Sequence, residues 1–160
     1  MKQIKLFVMD VDGTLTDGKI YVAATGEQFK AFDVKDGFGI RHILKKHEIK
    51  TAIITGRRSD IVQCRADELE VDFVHQGIQD KVECLEILLE QLGYDWSNVA
   101  YVGDDVNDLE CMNKAVWSGC PQDAHKSVRD VATYVAERKG GCGAVREIIE
   151  FLVEDTSERG

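Results

Sequence analysis

Three short apolar runs along this chain each stop at a residue suited to chemistry. Ile4 to Met9 ends in Asp10, Thr51 to Ile54 ends in Thr55-Gly56, and Val99 to Val102 ends in Gly103-Asp104-Asp105. Short, nearly continuous runs rich in β-branched residues read as strands buried on both faces. Helical spacing fills the intervals: Ile40, Ile43 and Leu44; then Val82, Leu85, Leu88, Leu89 and Leu92; then Val145, Ile148, Ile149 and Leu152. Asp80 and Glu83 have capping-box spacing ahead of the second of these helices. Weaker strand signals lie at Asp72 to Val74 and Ala115 to Trp117. Alternation of strand and helix predicts an α/β fold with a central parallel sheet and helices on both faces.

One stretch breaks the alternation. Lys19 to Phe32 reads as a β-hairpin flap after the first strand, too short to be a domain. A length of 160 residues fits one domain spanning 1–160. Within it lie the hairpin, at about 19–32, and a glycine-rich tail, at about 137–160. The polar end, Glu154 to Gly160, is expected to fray.

Composition excludes several classes. A net charge of −9 argues against nucleic acid or an anionic membrane as the main partner. No apolar run approaches the roughly 20 residues of a membrane span. The first run meets Asp10 too soon for a signal peptide. The five cysteines (Cys64, Cys84, Cys111, Cys120 and Cys142) are odd in number and show no C-x-x-C spacing. They read as reduced thiols in a cytoplasm, not as a zinc or redox site.

In an open parallel sheet, ligands bind beyond the carboxyl ends of the strands. Asp10, Thr55 and Asp104 all fall at such ends. Asp12 lies in the turn after Asp10, where Gly13 lets the backbone bend, and Asp105 and Asp108 follow Asp104. Two such charges about 4 Å apart repel by roughly 4 kcal/mol at an effective dielectric near 20. A divalent cation relieves that repulsion, and all-oxygen ligands favour magnesium. The remaining parts match phosphoryl transfer. Asp10 is the candidate nucleophile and Asp12 the candidate acid and base. Thr55 and Lys81 are candidates to hold the phosphoryl oxygens, Lys81 from near a helix start.

Taken singly, these residues read as turn residues, caps or solvated charges; the ordered set carries the inference. Other motifs fail. An EF-hand loop from Asp10 needs Gly at Leu15 and Glu at Tyr21. A dinucleotide fingerprint from Gly37 and Gly39 needs Gly at His42, and no G-x-x-x-x-G-K-[ST] occurs. The four histidines show no ligand spacing.

The set D-x-D-G-T, T-G, K and G-D-D-x-x-D resembles the four motifs of the haloacid dehalogenase superfamily of phosphatases, over essentially the whole chain. The resemblance implies a Rossmann-like three-layer sandwich, here with no cap domain. It implies Asp10 as nucleophile, Asp12 as acid/base, and magnesium held by Asp10, the Asp12 carbonyl and Asp104, with Asp105 and Asp108 as auxiliary groups. Finer details are Thr16-Asp17-Gly18, Lys35-Asp36-Gly37-Phe38-Gly39-Ile40, Thr55-Gly56-Arg57, Arg65-Ala66, Gln76-Gly77 and Gly140-Gly141-Cys142-Gly143-Ala144-Val145-Arg146-Glu147. Together they are similar to the capless family of 3-deoxy-D-manno-octulosonate 8-phosphate phosphatases, which act in lipopolysaccharide precursor synthesis.

That likeness implies a sugar-acid phosphate as substrate and a homotetramer, in which hairpins form a barrel and a neighbour's Gly140 to Arg146 tail helps close the site. It implies substrate contacts from Asp12, Thr55, Gly56, Arg57, Arg65, Lys81 and a neighbour's Arg146, with Arg58 either a further candidate or a solvent-facing side chain. Arg57 favours the eight-carbon acid, because relatives specialised for nine-carbon acids tend to lack Arg there. An acylneuraminate or deaminoneuraminate 9-phosphate phosphatase is the nearest alternative. A phospho-acceptor receiver module is remote, since Lys81 precedes Asp104-Asp105 and in receivers the order is reversed.

Overall fold

The computed structural model describes residues 3–158. Strand β1 (Leu6–Met9) leads into the antiparallel hairpin of β2 (Tyr21–Ala23) and β3 (Gly26–Phe29). Helix α1 (Val34–Phe38) follows and runs on as a π-helical segment, Gly39–Leu44. Then come β4 (Lys50–Thr55), α2 (Asp60–Glu68), β5 (Phe73–Gln76) and α3 (Lys81–Leu92). The chain continues with β6 (Val99–Val102), α4 (Leu109–Lys114), β7 (Trp117–Cys120), α5 (Lys126–Val131), β8 (Tyr134–Val135) and α6 (Ala144–Glu158).

The main sheet is parallel throughout, in the order β5-β4-β1-β6-β7-β8. Strand β1 is central, and the connections leave it first toward β4 and later toward β6. The ends of β1, β4 and β6 therefore flank the point where strand order reverses, the usual ligand crevice of such sheets.

The continuous apolar runs have a simple cause. Successive strand side chains point to opposite faces. Phe7, Met9, Ile53, Ala100 and Val102 pack on one face with Ile40, Leu44, Val62 and Ala66 and with Val145, Ile148, Ile149 and Leu152 of α6. Leu6, Val8, Ala52, Ile54, Val99 and Tyr101 pack on the other with Leu85, Leu88, Leu89, Met112 and Val128. Both faces are covered, so every position of the central strands β1 and β6 is buried. The result is the expected three-layer α/β sandwich.

Some boundaries move. The weak strand signals at 72–74 and 115–117 resolve as β5 and β7, displaced toward their C-terminal sides. Helix α6 continues to Glu158 where fraying was expected from Glu154. Its buried face, Val145 to Val153, anchors the helix, and adding turns to an existing helix is easy. The last two residues of that expected segment lie outside the described residues. Among the described residues, no helix is long and apolar enough to cross a membrane.

Candidate active site

Asp10 is held at the end of β1 by its amide, which donates to the Val102 carbonyl at 3.0 Å. This places it beside the loop after β6. There Asp104, Asp10 and Asp108 each present a carboxylate oxygen within 4.8 Å of the others. The turn at Gly13 makes this approach possible. Gly13 has φ of 89°, and a Cβ there would stand 2.0 Å from Oδ2 of Asp104. Thr14 then donates its hydroxyl to Oδ1 of Asp104 at 2.8 Å.

Lys81, at the start of α3, is buried. Its Nζ donates to Oδ1 of Asp10 at 3.0 Å and to Oδ1 of Asp108 at 2.8 Å. Oδ1 of Asp108 also accepts from the Tyr101 hydroxyl at 2.8 Å, and Oδ2 accepts from the amides of Asp104 and Asp105. A carboxylate accepts about four hydrogen bonds. Asp108 is thus saturated and serves to fix Lys81 and the loop. Asp105, exposed, caps the helical turn Val106–Asp108 by accepting from the Val106 amide.

Three carboxylates gather around one ammonium here, and the acidities of Asp10 and Asp104 reflect the crowding. Burial, then repulsion from Asp108, pushes Asp10 up to about 6 against the pull of Lys81. Burial, then the charge of Asp10, pushes Asp104 up to about 8. Burial lowers Lys81, but Asp10 and Asp108 outweigh it and hold its ammonium above the ordinary lysine range. An all-oxygen set with excess negative charge, crowded enough to resist ionisation, fits a hard divalent cation such as magnesium.

Asp12 points elsewhere. Its Oδ1 accepts from Nζ of Lys30 at 2.6 Å, and its Oδ2 lies 4.0 Å from Nε of Arg57. The side chain of Asp12 therefore stands apart from the Asp10–Asp104 cluster, next to the position of Arg57. Thr55 is buried at the end of β4, while Gly56, Arg57 and Arg58 are exposed in the loop that follows. Arg58 lies across Gly77, its Nε 2.5 Å from where a Cβ of that residue would stand.

Two further expected arginines make contacts with their own chain. Arg65 lies over the ring of Phe32, pairs with Glu68 at 2.8 Å and closes against Gly37. It buttresses α1 and has no contact with the carboxylate cluster. Arg146 pairs with Glu150 at 2.7 Å and lies over the Phe38 ring. The tail begins against the loop after β1: a Cβ at Gly140 would stand 2.0 Å from the Gly13 carbonyl. The glycines are small because this turn rests directly on the loop after β1.

Sequence reasoning passed over Thr14, Glu27, Lys30 and Tyr101. Thr14 had a signal, as the last residue of D-x-D-G-T. The others had none, since a lysine in a hairpin or a tyrosine in a strand is ordinary.

Known proteins are similar to this chain in sequence and in fold. A family model for haloacid dehalogenase-like hydrolases matches residues 39–115. The 3-deoxy-D-manno-octulosonate 8-phosphate phosphatase of Escherichia coli strain K12 is 43% identical over 152 residues, 95% of this chain and 80% of the relative. The Yersinia pestis enzyme of the same name is 41% identical over 150 residues, 94% of this chain and 80% of the relative. The crystal structure of that phosphatase from Moraxella catarrhalis, in complex with magnesium, phosphate and KDO, superposes with a TM-score of 0.90 at 42% identity. It covers 94% of this chain and 86% of that one. The cobalt-bound Haemophilus influenzae structure gives 0.91 at 34% identity, covering 97% and 90%.

Proposed function

The chain belongs to the 3-deoxy-D-manno-octulosonate 8-phosphate phosphatase family of haloacid dehalogenase-like hydrolases, and from that premise we propose that it hydrolyses this eight-carbon sugar-acid phosphate with magnesium. The observation that carries the reading is the Asp10–Asp104 carboxylate pair, with Lys81 bonded to Asp10 and Asp12 set apart beside Arg57.

The steps follow from the side chains. An oxygen of Asp10 attacks phosphorus and forms the new P–O bond, while the bond to the sugar oxygen breaks. Asp12 gives its proton to that departing alkoxide. Water then loses a proton to Asp12 and attacks phosphorus, and the acyl-phosphate bond breaks to restore Asp10. Lys81 and Thr55 offer an ammonium and a hydroxyl to the phosphoryl oxygens. Asp10, Asp104 and the Asp12 carbonyl would hold magnesium, which when bound offsets the negative charge gathered there. Asp108 keeps Lys81 in place, and Asp105 caps the loop.

Arg57 is the anchor for the substrate carboxylate, since its planar fork binds both oxygens. The hairpin supports assembly into a homotetramer. Val22 and Phe29 are exposed on it, and Tyr21 stacks on Phe29. All five thiols are free, in keeping with a cytoplasmic enzyme.

The test is phosphate release from a panel of 2-keto-3-deoxy sugar-acid phosphates, with and without magnesium. The eight-carbon 8-phosphate should give the highest kcat/KM, and only with the metal. Preference for a nine-carbon 9-phosphate would reassign the substrate, and metal-independent turnover would overturn the chemistry.

A further inference from the structure

A second buried network lies beside the carboxylate cluster. The side chain of Lys30, 1% exposed, stands at the end of the hairpin with Nζ 2.6 Å from Oδ1 of Asp12 and 2.8 Å from Oε1 of Glu27. Oε2 of Glu27 accepts from the Ser59 hydroxyl at 2.7 Å, and the Ser59 amide donates to Oε1 of Gln76 at 2.9 Å. The network thus joins the hairpin to the turn after β1, the start of α2 and the end of β5.

We propose that Lys30 is a positioning residue for Asp12, and that Glu27 is its counter-ion. This rests on the reading of Asp12 as acid and base. The Lys30 ammonium is fixed between two carboxylates, 2.6 Å from Oδ1 of Asp12 and 2.8 Å from Oε1 of Glu27, and Glu27 is itself tied to Ser59. Buried and held from both sides, the ammonium keeps Oδ1 of Asp12 in one direction.

Geometry completes the argument. Lys30 occupies Oδ1 of Asp12, so Oδ2, on the Arg57 side, is the oxygen left to serve the departing alkoxide. Glu27 and Lys30 both come from the hairpin, so the seating of the flap sets the aim of Asp12. A purely structural Lys30 would hold the hairpin down without regard to which bond is broken.

Leaving-group dependence separates the two roles. An alkoxide needs a proton as it departs, whereas a nitrophenolate leaves without one. First-turnover rates are measured by rapid quench on 3-deoxy-D-manno-octulosonate 8-phosphate and on 4-nitrophenyl phosphate. Lys30→Met is expected to slow the sugar-acid phosphate by about 10–100-fold and the aryl phosphate by about threefold or less, a fraction of a full loss of acid catalysis. The double variant Lys30→Met with Glu27→Gln removes the stranded carboxylate. It should melt near the wild-type temperature and keep the same selectivity. Equal slowing of both substrates, or slowing of neither, in a folded double variant overturns the proposal. Asp12→Asn is the control. If it too lacks leaving-group selectivity, the acid/base reading itself fails. If Asp12→Asn is selective and the Lys30 variants are not, only the positioning role is lost.

Discussion

Nζ of Lys81 donates to Oδ1 of Asp10 at 3.0 Å while holding Oδ1 of Asp108 at 2.8 Å on its other side. One buried ammonium therefore ties the end of β1 to the loop after β6. The proposed nucleophile is kept in one orientation by a group that also meets the incoming phosphoryl charge. Positioning and electrostatic stabilisation are carried by the same side chain.

Asp10→Asn is expected to abolish turnover while leaving the fold intact. The swap is nearly isosteric and keeps an oxygen for Lys81, but it removes the nucleophilic charge. Measured kcat should fall to background, with a melting temperature close to that of the wild type. A variant that retains near wild-type kcat would rule out the covalent route through Asp10.

Magnesium should be required for activity and should stabilise the protein. Chelation is expected to stop phosphate release, and added magnesium to restore it. Occupancy at 100 times Kd should add about 2.7 kcal/mol to stability, visible as a higher melting temperature without any substrate. Asp10 and Asp104 are raised to about 6 and about 8, so protons compete with the metal in this range. Affinity should strengthen from pH 6 to pH 8, by up to about tenfold per pH unit for each proton displaced. A pH-independent affinity measured by calorimetry would contradict this.

Arg57→Ala should weaken the sugar-acid phosphate selectively. The side chain is half-exposed beside Asp12, where the rest of the substrate must extend. Losing a charge-assisted bond to the carboxylate should lower kcat/KM by about 10–150-fold. An aryl phosphate without that carboxylate should be little affected. Equal losses on both would place Arg57 at the phosphate instead.

Asp36 should make stability fall with rising pH. Its Oδ1 accepts from the Arg146 amide at the start of α6, but Oδ2 has no hydrogen-bond partner among the described residues. Burial pushes the carboxyl up to about 6, against an ordinary 3.8. Between these values the folded state binds more protons than the unfolded one. Stability from this group is therefore greatest below the lower value and is lost as pH rises through the upper. Two pKa units correspond to about 2–3 kcal/mol at full ionisation. Asp36→Asn keeps the acceptor for Arg146 and removes the charge. Its melting temperature relative to wild type should climb from pH 4 to pH 7, and a constant difference would refute the account.

Much of this was legible because the signals are local. A buried strand needs a continuous apolar run, a helix needs 3.6-residue spacing, and the order of D-x-D-G-T, T-G, K and G-D-D-x-x-D is plain in the chain. Strand ends at Asp10, Thr55 and Asp104 follow directly. Helices α4 and α5, with 6 residues each, were too short to show a period. Strand β8, with 2 residues, was shorter still.

By itself, then, the sequence determined the layered α/β sheet, the strand ends that carry the chemistry and the family. Tertiary structure decided how the charges are shared among them. It saturated Asp108, crowded Asp10 against Asp104, turned Asp12 toward Lys30, and set Arg65 over Phe32 and Arg146 over Phe38. The physical reason is burial. In an isolated segment every one of these side chains is solvated and equivalent to others of its type. Once both faces of the sheet are covered, an ionised group must find a partner in the folded chain, and that partner is set by which loops the sheet brings side by side.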